Sequence, residues 1–187
     1  MRCAASGCST STPRRVGSGP ARRADPDHSR GRAAGRASNS TTVAALVDTN
    51  VLVYRFDARF PRKQAQADRL LRGGIANDSL RVPHQALIEF VAATTKPLNR
   101  GGTSILAPDV ARREMEEMLS QFDVLYPDED VVRTAVRGAA TYGLSWFDAH
   151  LWAYAERFAL DTLWSEDFED GRLYGRVRAR NPFARSA

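Results

Sequence analysis

Four acidic residues, in four separate stretches of the chain, have types and settings that could bind a metal ion. Asp48 interrupts the apolar stretch AALVDTNVLVY, and Glu89 lies among apolar residues in HQALIEF. Asp148 lies in SWFDAHLWA, and Asp167 lies in LWSED. Carboxylates that converge on one place repel one another, and a divalent cation cancels that repulsion. Such a set favours Mg²⁺, with Mn²⁺ as a possible substitute, and these ions also bind phosphate oxygens.

Each acid also has a purely structural explanation. Asp48 could cap the helix that follows it, and Ser145-x-x-Asp148 has the spacing of a capping box. Asp167 could lie in a solvated turn. Glu89 is harder to explain in this way, because an acid among apolar neighbours requires a partner. The metal interpretation therefore depends on the four acids taken together.

The elements that would position these acids alternate between strand and helix signals. Strands are predicted at 44–48, in SLRVP, FDVLYP and TLW, and as a short final strand in RVRA. A helix or turn is predicted to begin near Thr49, and helices are predicted at 62–73 (stopped by Gly73-Gly74), 84–95, 109–121, 128–142 and 145–158. The alternation predicts an α/β domain with a central, mostly parallel sheet of about four to five strands flanked by helices. Ligands of such sheets bind beyond the carboxyl ends of the strands, where Asp48 and Asp167 are expected.

The positive charge of the chain is concentrated in residues 1–42. This segment holds eight Arg and two Asp, a net charge of about +6, whereas residues 43–187 hold 19 Lys plus Arg and 20 Asp plus Glu, about −1. The segment contains one Val and no Leu, Ile or Phe, so we expect a disordered extension. Residues 43–187 are expected to form the single folded domain, without a globally basic nucleic-acid-binding surface.

Three interpretations of residues 1–42 stay open: an RNA-binding basic arm, a transit peptide, or a mis-assigned start. The chain has no Met between Met1 and Met115, and a bacterial valine codon can initiate translation, so we expect synthesis to begin at or near Val43. Both cysteines, Cys3 and Cys8, lie in this segment, which excludes a disulfide framework in the domain and favours the cytoplasm. No apolar run approaches the roughly 18 residues of a membrane span, so we expect no membrane partner.

The motifs LVDTNVLVY, HQALIEF, SWFDAHLWA and LWSEDFEDGRLYGRVRARNPF, in this order and spacing, resemble those of PIN-domain proteins, specifically VapC-type toxin ribonucleases. The resemblance covers about residues 44–183. It implies a Mg²⁺-dependent endoribonuclease, the toxin of a type II toxin–antitoxin pair, commonly a homodimer and silenced by a small cognate antitoxin. The family's acidic and polar site residues map onto Asp48, Asn50, Glu89, Asp148, Ser165 and Asp167. The family often has Thr where Ser165 stands, and residues 1–42 have no counterpart in its pattern.

The predicted reaction is hydrolysis of RNA by a metal-activated water, without a protein nucleophile. Asp48 and Asp148 are the predicted direct ligands. Glu89 could ligate, orient water or act as a base, and Asp167 could complete a second metal position. Asn50 and Ser165 would orient the carboxylates. The resemblance implies products with a 5′-phosphate and a 3′-hydroxyl.

Other polar and aromatic residues are weaker candidates. His84 and His150 could be bases or ligands, but two lone histidines are not a metal set. Trp146 and Trp152 could stack on bases, although core packing is the simpler interpretation. The dense basic run GRLYGRVRARNPFAR could contact RNA phosphates, or it could be a solvated edge strand. The arginines predicted for RNA contact are Arg172, Arg176 and Arg178.

Two other functions remain as alternatives. The first is a non-catalytic module on the same fold that binds RNA or a protein partner. The second is a metal-dependent phosphatase of another α/β family, which would need a nucleophilic Asp followed two residues later by an acid. Asn50 occupies that position after Asp48, which counts against the phosphatase.

Overall fold

The computed structural model describes residues 44–99 and 102–184. The predicted disordered extension and the proposed start at Val43 lie outside these ranges. Within them, no helix combines the length and the apolar character needed to cross a bilayer. The domain is an α/β fold, as the alternation of signals predicts.

One mixed sheet forms the centre of the domain. Its strands are β1 Ala45–Val47, β2 Leu80–Pro83, β3 Asp123–Leu125, β4 Thr162–Trp164, β5 Leu173–Tyr174 and β6 Val177–Arg180. Their order across the sheet is β3-β2-β1-β4-β6-β5, and only the β5–β6 pair is antiparallel. The connection from β1 leads to β2 on one side, while β4 pairs with β1 on the other. The sheet therefore has its topological switch point between β1 and β4, where ligands of such folds bind.

Within residues 44–99 and 102–184, six helices flank the sheet: α1 Thr49–Tyr54, α2 Pro61–Asn77, α3 His84–Thr95, α4 Pro108–Gln121, α5 Glu129–Tyr142 and α6 Trp146–Arg157. Successive side chains of β1 point to opposite faces of the sheet, so they belong to two separate parts of the hydrophobic core. Val47 packs with apolar residues of α1 to α4, and Leu46 packs with those of α5 and α6. Both faces of the sheet are thus covered, which explains why β1 reads as a continuous apolar run.

Helices α5 and α6 approach closely at Gly138. A Cβ atom built there would lie 2.4 Å from the Trp152 ring, so only glycine fits this crossing. The indole Nε1 of Trp152 donates to the carbonyl oxygen of Tyr174 at 2.9 Å, and the side chain is buried. Trp152 is therefore a core residue, in agreement with the simpler of its two interpretations.

Two details of the fold differ from the prediction. Helix α2 does not stop at Gly73-Gly74 but continues to Asn77, and Asp78 ends it in a left-handed conformation with φ of 48°. A Cβ atom at Gly74 would lie 2.1 Å from Leu80 Cδ1, so this glycine serves packing inside the helix rather than termination. The second difference is the two-residue strand β5, which is too short to produce a periodic signal.

The segment after β4 is held by residues that follow much later in the chain. Strand β6 pairs with β4, and the Ser165 amide donates to the Arg180 carbonyl oxygen at 3.0 Å. The Asn181 amide donates to Asp170 Oδ1 at 2.8 Å. The ring of Phe183 packs edge-on against Tyr54 with centroids 5.0 Å apart. The segment that contains Asp167 is therefore held by Arg180 and Asn181, whereas Phe183 packs on α1.

Candidate functional site

Asp48 and Ser165 meet at the switch point of the sheet. Each directly follows one of the paired central strands, β1 and β4, and the Asp48 amide donates to the Trp164 carbonyl oxygen at 3.0 Å. The hydroxyl of Ser165 donates to Asp48 Oδ2 at 2.5 Å, and both residues are buried. The Asp48 side chain makes no capping bond to α1, so it is aimed at the sheet edge rather than at the helix.

Asn50 connects the first acid with the last. Its Nδ2 donates to Asp48 Oδ2 at 2.7 Å and to Asp167 Oδ2 at 3.1 Å, and it lies 3.3 Å from Ser165 Oγ. Its Oδ1 is buried and has no hydrogen-bond partner among the described residues. An unpartnered buried oxygen is uncommon in folded proteins and marks a place where a ligand or water would be bound.

The other two acids come from helices. Glu89 of α3 accepts from Thr49 Oγ1 at Oε2 and from Gln85 Nε2 at Oε1, both at 2.8 Å. Asp148 lies in the first turn of α6, where Ser145 Oγ donates to its Oδ2 at 2.7 Å and accepts from its amide at 3.2 Å. Glu89 thus has the polar partners that its apolar neighbourhood requires, and Asp148 takes part in the predicted cap.

All four acids line one cleft of about 770 Å³ at the carboxyl edge of the sheet. The same cleft is bordered by apolar side chains of α1, α3 and the segment after α3: Val53, Ala92, Ala93, Leu98 and Ile105. The cleft therefore combines acidic side chains with apolar ones.

Burial dominates the electrostatics of the cleft. It raises the pKa of Asp48 from 3.8 to about 7, and the negative charges of Asp167 and Glu89 add to the rise, against the lowering effect of the Ser165 hydrogen bond. A carboxyl group with this pKa is only partly ionised at neutral pH. A bound cation would favour the ionised form and lower that pKa.

A family model described as the PIN domain matches residues 45–172, more than half of the chain. The chain belongs to the PIN domain family. The comparison with curated proteins gave no match.

Solved structures share the fold of this PIN domain. A toxin–antitoxin complex from Klebsiella pneumoniae is similar with a TM-score of 0.53 and 20% identity, over 74% of this chain and 98% of that one. FitAcB from Neisseria gonorrhoeae is similar with a TM-score of 0.52 and 22% identity, over 74% of this chain and 98% of that one. DNA-bound VapBC from Salmonella typhimurium is similar with a TM-score of 0.54 and 14% identity, over 75% of this chain and 98% of that one. At these identities, the likeness establishes the fold.

The oxygen ligands available in the PIN domain cleft suit a hard cation, although the acidic side chains do not form a compact cluster. Among residues 44–99 and 102–184, no three acidic, histidine or cysteine side chains come close enough together to hold an ion. Each carboxylate instead accepts hydrogen bonds from neighbouring side chains, such as Thr49, Asn50 and Ser145. Carboxylate oxygens together with the unpartnered Asn50 Oδ1 are nevertheless the ligand type that Mg²⁺ and Mn²⁺ prefer.

The arginines predicted to contact RNA lie outside the cleft. Arg172 pairs with Glu169 at 3.0 Å, and Arg176 Nη2 donates to the Glu156 carbonyl oxygen at 2.8 Å. Arg178 Nη1 donates to a backbone carbonyl oxygen at 2.7 Å. Among the described residues, the basic ones that border the cleft are instead Arg59 and Lys96. A signal for Arg59 was present in the sequence, because it lies in the basic stretch RFDARFPRK, residues 55–63.

A second cleft, of about 310 Å³, lies between α3 and α6 on the other side of Gln85 and Glu89. It is lined by His84, Ile88, Trp146, Phe147 and His150, among others. Burial lowers the pKa of His150 below its usual value. Trp146 is half exposed, so the core interpretation that holds for Trp152 does not extend to it.

Sequence reasoning missed two partners of Glu89, Thr49 and Gln85. Gln85 lies four residues before Glu89 on α3, a spacing at which side chains meet on one helix face, so this contact could have been found. Thr49 contacts Glu89 across 40 positions of the chain, and no local pattern predicts such a contact.

Proposed function

We propose that this PIN domain is a Mg²⁺-dependent endoribonuclease, with Mn²⁺ as a possible substitute, and the VapC-type toxin of a type II toxin–antitoxin pair. The observation that carries the proposal is the placement of Asp48, Glu89, Asp148 and Asp167, from four different parts of the chain, along one cleft. The motif resemblance over residues 44–183 supports RNA as the substrate.

Each polar side chain of the cleft has a role in this proposal. Asp48 and Asp148 would hold the cation, while Glu89 and Asp167 would complete its surroundings or orient water. Asn50 and Ser165 orient the carboxylates of Asp48 and Asp167 through the hydrogen bonds described above. When bound, the divalent cation supplies an activated water and stabilises negative charge on the phosphate.

The partners follow from the same proposal. We expect a small cognate antitoxin, a homodimer, and action in the cytoplasm. Structures of the same fold include complexes described as toxin–antitoxin, which supports an antitoxin here. We also propose that residues 43–187 carry the nuclease and that Arg172, Arg176 and Arg178 contribute to binding of RNA phosphates, which a salt titration of RNA affinity would measure.

Cleavage of RNA by purified protein tests the proposal. We expect cleavage with Mg²⁺, loss of cleavage with EDTA, and loss in Asp48→Asn. Asp170→Asn is the matched control, because Asp170 does not line the cleft and asparagine keeps the Oδ1 oxygen that accepts from the Asn181 amide. Equal cleavage by Asp48→Asn and the wild type would refute the assignment, and a variant lacking residues 1–42 should retain activity.

The second candidate is a non-catalytic module that binds RNA or a protein partner. It is favoured by one observation: the acids of the cleft are engaged by protein hydrogen bonds and do not form a compact ion site in the described residues. This candidate predicts binding of RNA or antitoxin without cleavage in either Mg²⁺ or Mn²⁺. Sequencing of RNA ends after induced expression would separate the two functions.

A further inference from the structure

Gln85 makes three polar contacts that link helices α3 and α6. Its Nε2 lies 2.8 Å from Glu89 Oε1 on its own helix and 3.3 Å from the Phe147 carbonyl oxygen on α6. Its Oε1 lies 2.7 Å from His150 Nδ1, also on α6. Because Gln85 lines both clefts, its side chain lies in the wall between them.

The chemistry of these partners determines which way the amide of Gln85 faces. An ionised carboxylate and a backbone carbonyl can only accept hydrogen bonds, so the group between Glu89 and Phe147 must be the donor, Nε2. The oxygen of Gln85 then faces His150. An amide oxygen can only accept, so His150 Nδ1 must carry the proton.

We propose that Gln85 and His150 form a brace between α3 and α6 that positions Glu89 relative to Asp148. Both are positioning residues that act through the acids rather than on the substrate. The inference rests on the proposed function, since it gives the brace its purpose: control of metal affinity at the cleft.

The two helix-borne acids need such a brace more than the other two. Asp48 and Ser165 directly follow paired strands, so the sheet ladder sets their separation. Glu89 and Asp148 lie on helices that are separated by the second cleft. A side-chain bridge across that cleft therefore decides how far apart the two carboxylates lie.

The tautomer of His150 is a direct test that requires no metal. Nitrogen NMR of metal-free protein labelled at histidine should show the neutral ring of His150 protonated at Nδ1 in the wild type, whereas a histidine side chain in water prefers the proton on Nε2. Gln85→Met keeps the length of the side chain and removes both polar groups, so it should return His150 to the Nε2–H form. A wild type with Nε2–H, or a tautomer unchanged in Gln85→Met, would overturn the brace.

Metal binding tests the consequence for the cleft. Calorimetric titration with Mn²⁺ should show about tenfold weaker binding for Gln85→Met and His150→Leu, the size typical of lost outer-sphere partners. His150→Asn should bind within about twofold of the wild type, because its amide can donate from the position of Nδ1. His84→Leu is the matched control, since His84 packs on Tyr126 with ring centroids 5.2 Å apart and is outside the brace.

The outcomes separate the brace from the proposed function. Equal affinity in all variants, or equal loss in His150→Asn and His150→Leu, would overturn the brace while leaving the metal site intact. A wild type that binds no Mn²⁺ would overturn the metal site, and the tautomer measurement alone would then decide whether the brace exists. Thermal unfolding of each variant, without metal, checks that a lower affinity does not come from misfolding.

Discussion

Asp48 is the residue in which the fold and the proposed chemistry conflict most directly. The sheet edge buries its carboxyl group, and burial holds its pKa at about 7. Ionisation of Asp48 in the absence of a cation therefore works against folding, whereas ionisation with a cation bound does not. The position is one that a purely structural acid would not be expected to occupy.

The pH dependence of stability should reveal this conflict. Because the pKa of Asp48 is raised from 3.8 to about 7 in the folded state, its contribution to stability is complete below the lower value and is lost as pH rises through the upper one. Asp48→Asn removes this loss. We expect the free energy of unfolding of Asp48→Asn, relative to wild type, to increase by roughly 2 kcal/mol between pH 5 and pH 7.5 without metal.

Urea unfolding in EDTA at the two pH values measures that difference. A constant gap between Asp48→Asn and wild type would contradict the raised pKa. Asp170→Asn provides the comparison, because its side chain accepts a single backbone hydrogen bond outside the cleft. Added Mg²⁺ should stabilise the wild type at the higher pH and leave Asp48→Asn nearly unchanged.

Much of the cleft could be predicted from residue types and strand positions alone. Asp48 and Asp167 follow strand signals, so their common edge follows from the parallel sheet. The placement of Glu89 and Asp148 in the same cleft does not follow from the sheet, and its prediction depended on the four acids taken together and on the motif resemblance. The partners of Glu89 could not be predicted in full, because the contact with Thr49 depends on how α1 packs against α3.

At the scale of elements, glycine has two opposite effects within helices. In α5, Gly138 permits the close approach of Trp152 from α6. In α2, a Cβ atom built at Gly73 would meet no packing partner within 4 Å among the described residues, so this glycine only lowers the helix propensity. The same residue type is thus required in one helix and unfavourable in another.

Two alanine substitutions should therefore change stability in opposite directions. Gly138→Ala should destabilise the domain by about 1–3 kcal/mol, because the new methyl group overlaps the Trp152 ring. Gly73→Ala should stabilise it by about 0.5–1 kcal/mol through helix propensity. Chemical unfolding of both variants measures the effects, and equal shifts of the same sign would contradict the packing at Gly138.

Helix boundaries were predictable where a local signal sets them and wrong where packing does. Helix α3 covers His84–Thr95, the predicted range, and α5 ends at Gly143 as expected. The end of α2 was predicted wrongly, because Gly74 is needed for contact with Leu80, a residue of the next strand. A glycine pair in the sequence does not distinguish a stop signal from a packing site.

At the scale of the whole molecule, large apolar side chains are exposed around the second cleft. Tyr126, Trp146, Phe147 and Ile88 are each at least half exposed. Phe147, Trp146 and Ile88 line the same cleft, and Tyr126 packs on His84 beside it. Contiguous apolar surface of this kind is typical of a protein–protein interface, so we expect the proposed homodimer to use it.

Light scattering of purified protein tests this assignment. We expect the wild type to be a dimer and Ile88→Glu to be a monomer, because the substitution would bury a charge in the interface. Leu119→Glu, on the exposed side of α4, should remain a dimer. A monomeric wild type, or a dimeric Ile88→Glu, would place the homodimer elsewhere or remove it.

The placement of β6 beside β4 has a consequence for the order of events during protein synthesis. The loop that contains Asp167 is held by contacts with Arg180 and Asn181, which the ribosome adds only after Asp167 itself. A nascent chain that still lacks these residues leaves the Asp167 loop without these contacts. The proposed nuclease therefore cannot complete its cleft while the segment after β4 is still being translated, which delays activity until the message has been read past Asn181.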